Sequence, residues 1–393
     1  MLKGYLSKVG VGSQTEAFRA ESTYNPAMLK RLYIDNFRCF VNFEYKPERK
    51  QLLLGANGSG KSSLLTAIRF IKQFVEDREN PFTQSSRTRW IDRPTQVFEI
   101  EALLGEEVFE YRVEIRYSPE SKIPSVSMER LKVAGSPVFE LADGEIRFHQ
   151  DGGNAGPVLR WEGTESALHL AQFSNQRVRQ FVDWLRTVNC FQIDAYEGVM
   201  EETADTVRKY PDFELEYLAE WYLHCVQEDP EGVDRFKASI REVLTGFELL
   251  RFSREEDGVN RLHADFRSPS GQRHPFSIRE LSDGQRILLG LYMILHFLIA
   301  KGHTVFVDEP DNFVSLREIQ PWLLAAGDAV QESKGQLILI SHHPEILNLW
   351  AREYGVQFYR EENGQVAPPR PFKTDYDEAL QPSEIVARGW ENE

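Results

Sequence analysis

The sequence predicts an α/β protein. It has a mostly parallel sheet domain with an antiparallel β lobe at its N-terminal end, split in the chain by an inserted arm of strands followed by helices. Three observations lead there. The apolar "KQLLLG" runs directly into the glycine-rich "GANGSGKS" and then into an amphipathic helix. Two short apolar strands, "TVFVD" and "QLILIS", bracket a helical stretch, the alternation of a parallel sheet. And "VFEIEALLGEEVFEYRVEIRY" alternates apolar and polar residues, as an antiparallel hairpin with one wet face does.

The elements follow in order. Residues 1–75 hold two strands, "RLYIDNF" and "CFVNFEY", then "KQLLLG" and the helix "KSSLLTAIRFIKQF", whose Leu64, Leu65, Ile68, Ile71 and Phe74 share one face. Residues 76–244 are the predicted arm. In its hairpin Phe109, Tyr111, Val113 and Ile115 oppose Glu110, Arg112, Glu114 and Arg116. Further strands, "EIRFH" and "VLRW", are joined by "DGGNAG", residues 151–156. No helix stands behind that loop, so it reads as a hairpin turn and not as a phosphate site. Val178, Phe181, Val182 and Leu185 have helical spacing, and two more helices are expected over 211–228 and 232–245. Residues 245–393 return to the sheet domain: strands, then "LSDGQR", then an apolar helix closed by Lys301 and Gly302. Its apolar run, 287–300, is short for a bilayer span and predicts a buried helix.

Composition narrows the function classes. With 41% hydrophobic and 27% charged residues the chain is expected to be soluble and globular. A net charge of -15 excludes coating of nucleic acid by bulk attraction, while a local basic groove stays open. Arginines with interleaved aromatics at 85–93 and 177–186 are candidates for such a groove, and equally fit ordinary solvated or amphipathic faces. The three cysteines, Cys39, Cys190 and Cys225, have no ligand spacing and suit a reducing cytosol. The N-terminal residues lack a signal-peptide core, so a cytoplasmic protein without a membrane partner is expected.

"GANGSGKS" matches G-x-x-x-x-G-K-[ST] from Gly55 to Ser62. Its glycines let backbone N–H groups turn inward around phosphate oxygens, and the following helix adds its N-terminal dipole. The predicted nucleotide contacts are Gly55, Asn57, Gly58, Ser59, Gly60, Lys61, Ser62 and Ser63. Lys61 reaches the β- and γ-phosphates, and is expected to face solvent without nucleotide; Ser62 holds Mg²⁺. Asp308 and Glu309 end the strand "TVFVD": Asp308 is the second predicted Mg²⁺ ligand and Glu309 the group that orients or deprotonates water. An ordinary acidic strand end is the plainer reading of that pair. Strand "QLILIS" ends in Ser341, His342 and His343. Neighbours on a strand face opposite ways, so one histidine is expected to face the site and the other to cap or be solvated.

In this order the motifs resemble the head of an ABC-type ATPase. "LSDGQ", Leu281–Gln285, is then the signature, "TVFVDE" the Walker B strand, "PDN" the segment after it, and His342 the switch histidine. The resemblance implies ATP and Mg²⁺ as cofactors, with Lys61, Glu309 and His342 in the hydrolytic site. It also implies two heads meeting head-to-tail, so that Ser282, Gly284 and Gln285 serve the nucleotide of the partner copy. Ser282 stands at a helix start, where the dipole favours an anion. "LYIDNFRCF" and the Asp283 of "LSDGQR" are similar to the OLD, RecF and SMC-related group more than to transporter subunits, and SMC coiled coils are absent.

The sequence departs from that pattern in three places. "NFVSLREIQPWL" stands where many OLD-like proteins have Leu-His-Pro, which leaves the roles of Asp311 and Asn312 open. Gln192 in "NCFQID" is a candidate γ-phosphate sensor or a plain strand residue. "TDYDEA", with Asp375 and Asp377, leaves no room for a Toprim nuclease domain and reads as a solvated tail. The expectation is an ATP-hydrolysing switch, working as a homodimer or higher oligomer. It would control a separately encoded effector, such as a nuclease or toxin, or DNA engagement, in phage defence or DNA maintenance. A RecF-like repair clamp that binds DNA directly is the alternative, and an ABC transporter subunit a weaker one.

Overall fold

The computed structural model describes residues 27–76, 80–118, 120, 123–149, 155–173, 175–193, 200–254, 258–373 and 380–389. The expectations for the N-terminal residues, for most of "DGGNAG", and for Asp375 and Asp377 therefore lie outside the described residues. The chain opens with β1 (Ala27–Asp35), β2 (Phe43–Tyr45), β3 (Lys50–Leu54) and α1 (Lys61–Glu76). Next come β4 (Thr95–Leu104), β5 (Glu107–Arg116), β6 (Ser125–Val133), β7 (Ser136–Ala142), β8 (Glu145–His149) and β9 (Ala155–Arg160). Then follow α2 (Leu168–Ala171), α3 (Gln176–Arg186), β10 (Val188–Gln192), β11 (Thr203–Ala204), α4 (Leu218–Glu228) and α5 (Pro230–Val243). The remainder is β12 (Phe247–Arg254), β13 (Asn260–Arg267), β14 (Arg273–Ser277), α6 (Asp283–Phe297), β15 (Thr304–Asp308), α7 (Leu316–Ser333), β16 (Gln336–Ile340), α8 (Pro344–Tyr354), β17 (Gly355–Gln357), β18 (Arg370–Pro371) and α9 (Pro382–Ala387).

Three sheets result. The central one has the order β10-β15-β16-β3-β17-β18 and is parallel except for the last pair. Alternate residues of its strands feed two cores. Leu52, Val305, Val307, Leu337 and Leu339 pack with α4–α8, while Leu53, Phe306, Ile338 and Ile340 pack with α1, α3 and the antiparallel sheet. Burial on both faces explains why these strands read as unbroken apolar runs. The second sheet, eight antiparallel strands, has the order β2-β1-β4-β5-β6-β7-β8-β9. Phe98, Ile100, Tyr111 and Val113 point to the core, and the opposite face carries a ladder in which Arg31 pairs with Glu44, Glu99 and Glu101, and Arg112 with Glu99 and Glu114. The third sheet joins β11, β12, β13 and β14 ahead of α6.

The α/β class with an antiparallel N-terminal lobe is therefore the observed fold. The boundary drawn at residue 76 is not a break in the structure. β4 pairs with β1 along its length, so the strands assigned to an arm extend the N-terminal lobe, and β10 is the edge strand of the central sheet. Sequence order hides this because sheet partners are chosen by backbone pairing, not by proximity in the chain. "CFVNFEY" forms a strand only over β2: Asn36, Arg38 and Asn42 have φ of 59°, 48° and 49°, which folds residues 36–42 into a tight loop. The helix expected from 211 starts at Leu218. The apolar run after "LSDGQR" is α6, buried from Ile287 to Leu295 as a core helix, followed by a 3₁₀ turn closed by Gly302.

Candidate functional site

β3 delivers the phosphate loop to the C-terminal edge of the central sheet. Gly55 has φ +137°, and a Cβ added there would overlap the Phe358 carbonyl oxygen, so only glycine fits. Residues 57–63 line a cavity of about 360 Å³ that also takes in Gln192, Asp308, Glu309 and His342. Lys61 does not face solvent as expected. It is 7% exposed, and its Nζ donates to the carbonyls of Gly55 (2.5 Å) and Ala56 (3.3 Å). Burial lowers the Lys61 pKa, opposed by the charges of Asp308 and Glu309.

Asp308 ends β15 and is 5% exposed. Its Oδ2 accepts from Ser62 Oγ at 3.1 Å, so the two predicted Mg²⁺ ligands converge. Burial pushes the Asp308 carboxyl up to about 6, with Glu309 and Asp311 adding to the rise and Ser62 and Lys61 opposing it. Two hard oxygens beside a cavity for phosphates fit Mg²⁺, which takes few protein ligands and fills its shell with phosphate and water. No cluster of three or more His, Cys, Asp or Glu suited to a metal occurs among the described residues.

Glu309 has φ +48°, its N–H donates to the Ile340 carbonyl (2.8 Å), and its Oε2 accepts from Asn312 Nδ2 (2.8 Å). A non-glycine residue in the left-handed region at a strand end is a strained position that its neighbours must hold. Asp311 Oδ1 accepts from Ser341 Oγ at 2.6 Å. The two histidines lie past the end of β16, so strand alternation does not act on them: His342 lines the cavity, while His343, the N-cap of α8, accepts from Glu345 N–H at its Nδ1. Partial burial lowers the His342 pKa, and Lys61 lowers it further.

Two families match parts of the chain. Residues 31–138 match one described as "AAA domain", and residues 218–348 one described as "AAA domain, putative AbiEii toxin, Type IV TA system". No curated protein matches the chain in sequence. Among solved structures, an SMC head bound to the C-winged helix domain of ScpA aligns with 90% of this chain and 99% of its own, at TM-score 0.51 and 12% identity. An Smc head with an extended coiled coil, bound to the C-terminal domain of ScpA derived from Pyrococcus furiosus, aligns with 93% of this chain and 99% of its own, again at 0.51 and 12%. The SMC head domain from Thermotoga maritima aligns with 88% of this chain and 99% of its own, at 0.45 and 16%. The chain has the fold of these SMC heads.

The segment "LSDGQ" stands apart from the cavity. Ser282, Gly284 and Gln285 are not among its lining residues. Ser282 is the exposed N-cap of α6: its Oγ accepts from Gln285 N–H (3.3 Å), and Gln285 Oε1 accepts from Ser282 N–H (3.0 Å). Gln192 does reach the cavity, because β10 pairs with β15 in a register that sets it beside Asp308.

Two arginines that no motif announced also line the cavity. Arg38 arrives on the loop between β1 and β2, with its Nη1 on Thr66 Oγ1 (3.0 Å). Arg360 arrives after β17. "LYIDNFRCF" served only as a family likeness and did not single out Arg38, and nothing in "FYREENG" marks Arg360. The basic segment 177–186 is an amphipathic helix: Phe181 and Trp184 are buried, and Arg177 and Arg186 pair with Glu107 and Asp183. In 85–93, Trp90 is exposed and Arg93 pairs with Asp35.

Proposed function

We propose that this chain is an ATP-binding and ATP-hydrolysing switch that closes head-to-tail with a second copy around two ATP–Mg²⁺. One observation carries the reading: Lys61, Ser62, Asp308, Glu309 and His342 meet in one cavity, while Ser282 sits at an exposed helix start away from it. Lys61 would exchange its loop carbonyls for the β- and γ-phosphate oxygens. Ser62 and Asp308 would hold Mg²⁺, which neutralises developing charge on the phosphates. Glu309 would take the water's proton, His342 and Gln192 would face the γ-phosphate, and Ser282, Gly284 and Gln285 would complete the site of the partner copy. Hydrogen-bond donors supplied only when the second head docks make hydrolysis conditional on dimer closure, which is what a switch requires.

The output is proposed to be a separately encoded effector, in a cytoplasmic phage-defence or DNA-maintenance role. Two fold neighbours were solved with a second protein bound, and the family matched by residues 218–348 is described with a toxin–antitoxin system. Direct DNA clamping is the second reading, which the SMC-type fold supports; paired Arg177 and Arg186 count against α3 as its surface.

The test is Glu309→Gln. Hydrolysis should fall by roughly 10²–10⁴-fold, the range for a general base, with ATP still bound. Light scattering should then report an ATP-dependent dimer, and Ser282→Arg in the same background should abolish it. Wild-type hydrolysis with no change of mass on adding ATP would overturn the reading.

A further inference from the structure

We infer that Arg360 reads the phosphate chain of the bound nucleotide, as a further cation of the cavity beside Lys61 and Arg38. The inference rests on the nucleotide-binding reading above and adds to it a residue outside every motif.

Position comes first. β17 runs parallel to β3, with Val356 opposite Leu53 and Gln357 opposite Leu54, so the chain after β17 follows the phosphate loop as it leaves the sheet. Phe358 N–H donates to the Leu54 carbonyl at 2.7 Å, and two residues later the Arg360 guanidinium lines the cavity. Its Nε donates to the Gly58 carbonyl (2.9 Å) and its Nη1 to the Gly364 carbonyl (2.6 Å). The first bond ties it to the phosphate loop, the second to its own turn.

The turn is itself anchored. Arg360 bridges to Val366, Glu361 N–H donates to the Gln365 carbonyl, and Gln365 Nε2 donates to the Val41 carbonyl at 2.8 Å. The guanidinium is therefore pre-oriented, and binding would not have to order it.

Donor accounting comes second. A guanidinium carries five N–H donors. Among the described residues the Nη2 of Arg360 has no protein acceptor, and no carboxylate forms an ion pair with this arginine. Arg31, Arg112, Arg251 and Arg273, by contrast, each have a carboxylate partner. An exposed cation with spare planar donors, fixed to the crest of a phosphate loop, matches phosphate oxygens better than it matches a neutral base.

The experiment compares ATP, ADP and AMP, each with Mg²⁺, by titration calorimetry on the full chain. Arg360→Met keeps an unbranched stem and removes the guanidinium, with its charge and its donors. It should weaken ATP by roughly 10–100-fold, the range for one charge-assisted hydrogen-bonded contact, and AMP by much less. Arg360→Lys should recover part of the loss. The variant's KM for ATP should rise while kcat at saturation stays within a few-fold, because Lys61, Asp308 and Glu309 are untouched. Melting without nucleotide separates a structural clip from a phosphate contact. ATP affinity within two-fold of wild type, or an equal loss for ATP and AMP together with a lower melting temperature, would overturn the inference. Should Arg360→Met fail to fold, Arg360→Lys must still show a larger loss for ATP than for AMP. A wild-type protein that binds no nucleotide would remove both this inference and the reading beneath it, whereas wild-type binding unchanged in Arg360→Met removes only this one.

Discussion

Glu129 and Asp308 are both buried carboxylates, one in each large sheet, and they are treated in opposite ways. Glu129, on β6, is fully buried and is enclosed by donors: Tyr111 OH at 2.8 Å, Ser166 Oγ at 2.5 Å and Ala167 N–H at 2.8 Å. Asp308 accepts from Ser62 alone among the described residues, and has Glu309 and Asp311 as acidic neighbours. Burial pushes both carboxyls up, to about 7 for Glu129 and about 6 for Asp308. The first shell is completed by the protein and pins β6 to the start of α2. The second is left open on its cavity side, the arrangement expected where a cation from outside completes it.

The largest test of that contrast uses two turns. Gly55→Ala should destabilise by about 3 kcal/mol or more, because its φ of +137° is closed to alanine and the Phe358 carbonyl blocks the Cβ. Gly135→Ala, in the β6–β7 hairpin, has φ +77° with open space around it and should cost only about 1 kcal/mol. Urea denaturation of both variants gives the comparison, and equal losses would remove the special status of the phosphate loop.

The next test uses the carboxylates. Glu129→Ala strands three donors and should destabilise by about 3 kcal/mol. Asp308→Asn should do the reverse at neutral pH. The raised Asp308 pKa means its contribution to stability is fully present below about 4, its unfolded range, and is lost as pH rises through about 6. A neutral amide avoids that loss, so the variant should gain roughly 2–3 kcal/mol above pH 6 and little below pH 4. Melting curves across pH, without Mg²⁺ or nucleotide, decide it; a destabilised Asp308→Asn at pH 8 would show that the open shell is not strained.

The smallest effect is expected on the wet face. Arg177→Ala breaks an exposed pair with Glu107 and should change stability by about 0.5 kcal/mol or less. DNA binding, measured by filter retention with ATP at low salt, should be the same in this variant as in wild type. A clear drop would return α3 to the DNA-clamp reading.

Much of the site was legible because its chemistry is carried by consecutive residues. "GANGSGKS" needs glycine, lysine and serine at fixed offsets, and "TVFVDE" sets its carboxylates at the end of an apolar strand. Strand alternation was the wrong reason to expect His342 and His343 to part, because both follow the end of β16 and His343 belongs to the start of α8. The state of Lys61 was not legible, because an unliganded ammonium chooses among carbonyls whose positions depend on the whole loop. Nor was the place of residues 76–192, since alternation marks β4 and β5 as strands without saying that β4 lies against β1.

By itself, then, the sequence determined the α/β class, the glycine-rich loop after an apolar strand, and the carboxylate pair at the end of another. Each of these is written in local patterns of residue type and period. Tertiary structure alone decided that β17 lies beside β3, that β10 lies beside β15, and hence that Arg360 and Gln192 enter the cavity at all. Parallel strands pair through backbone groups that every residue carries, so which strand neighbours which leaves no mark on the side chains that the pairing brings together.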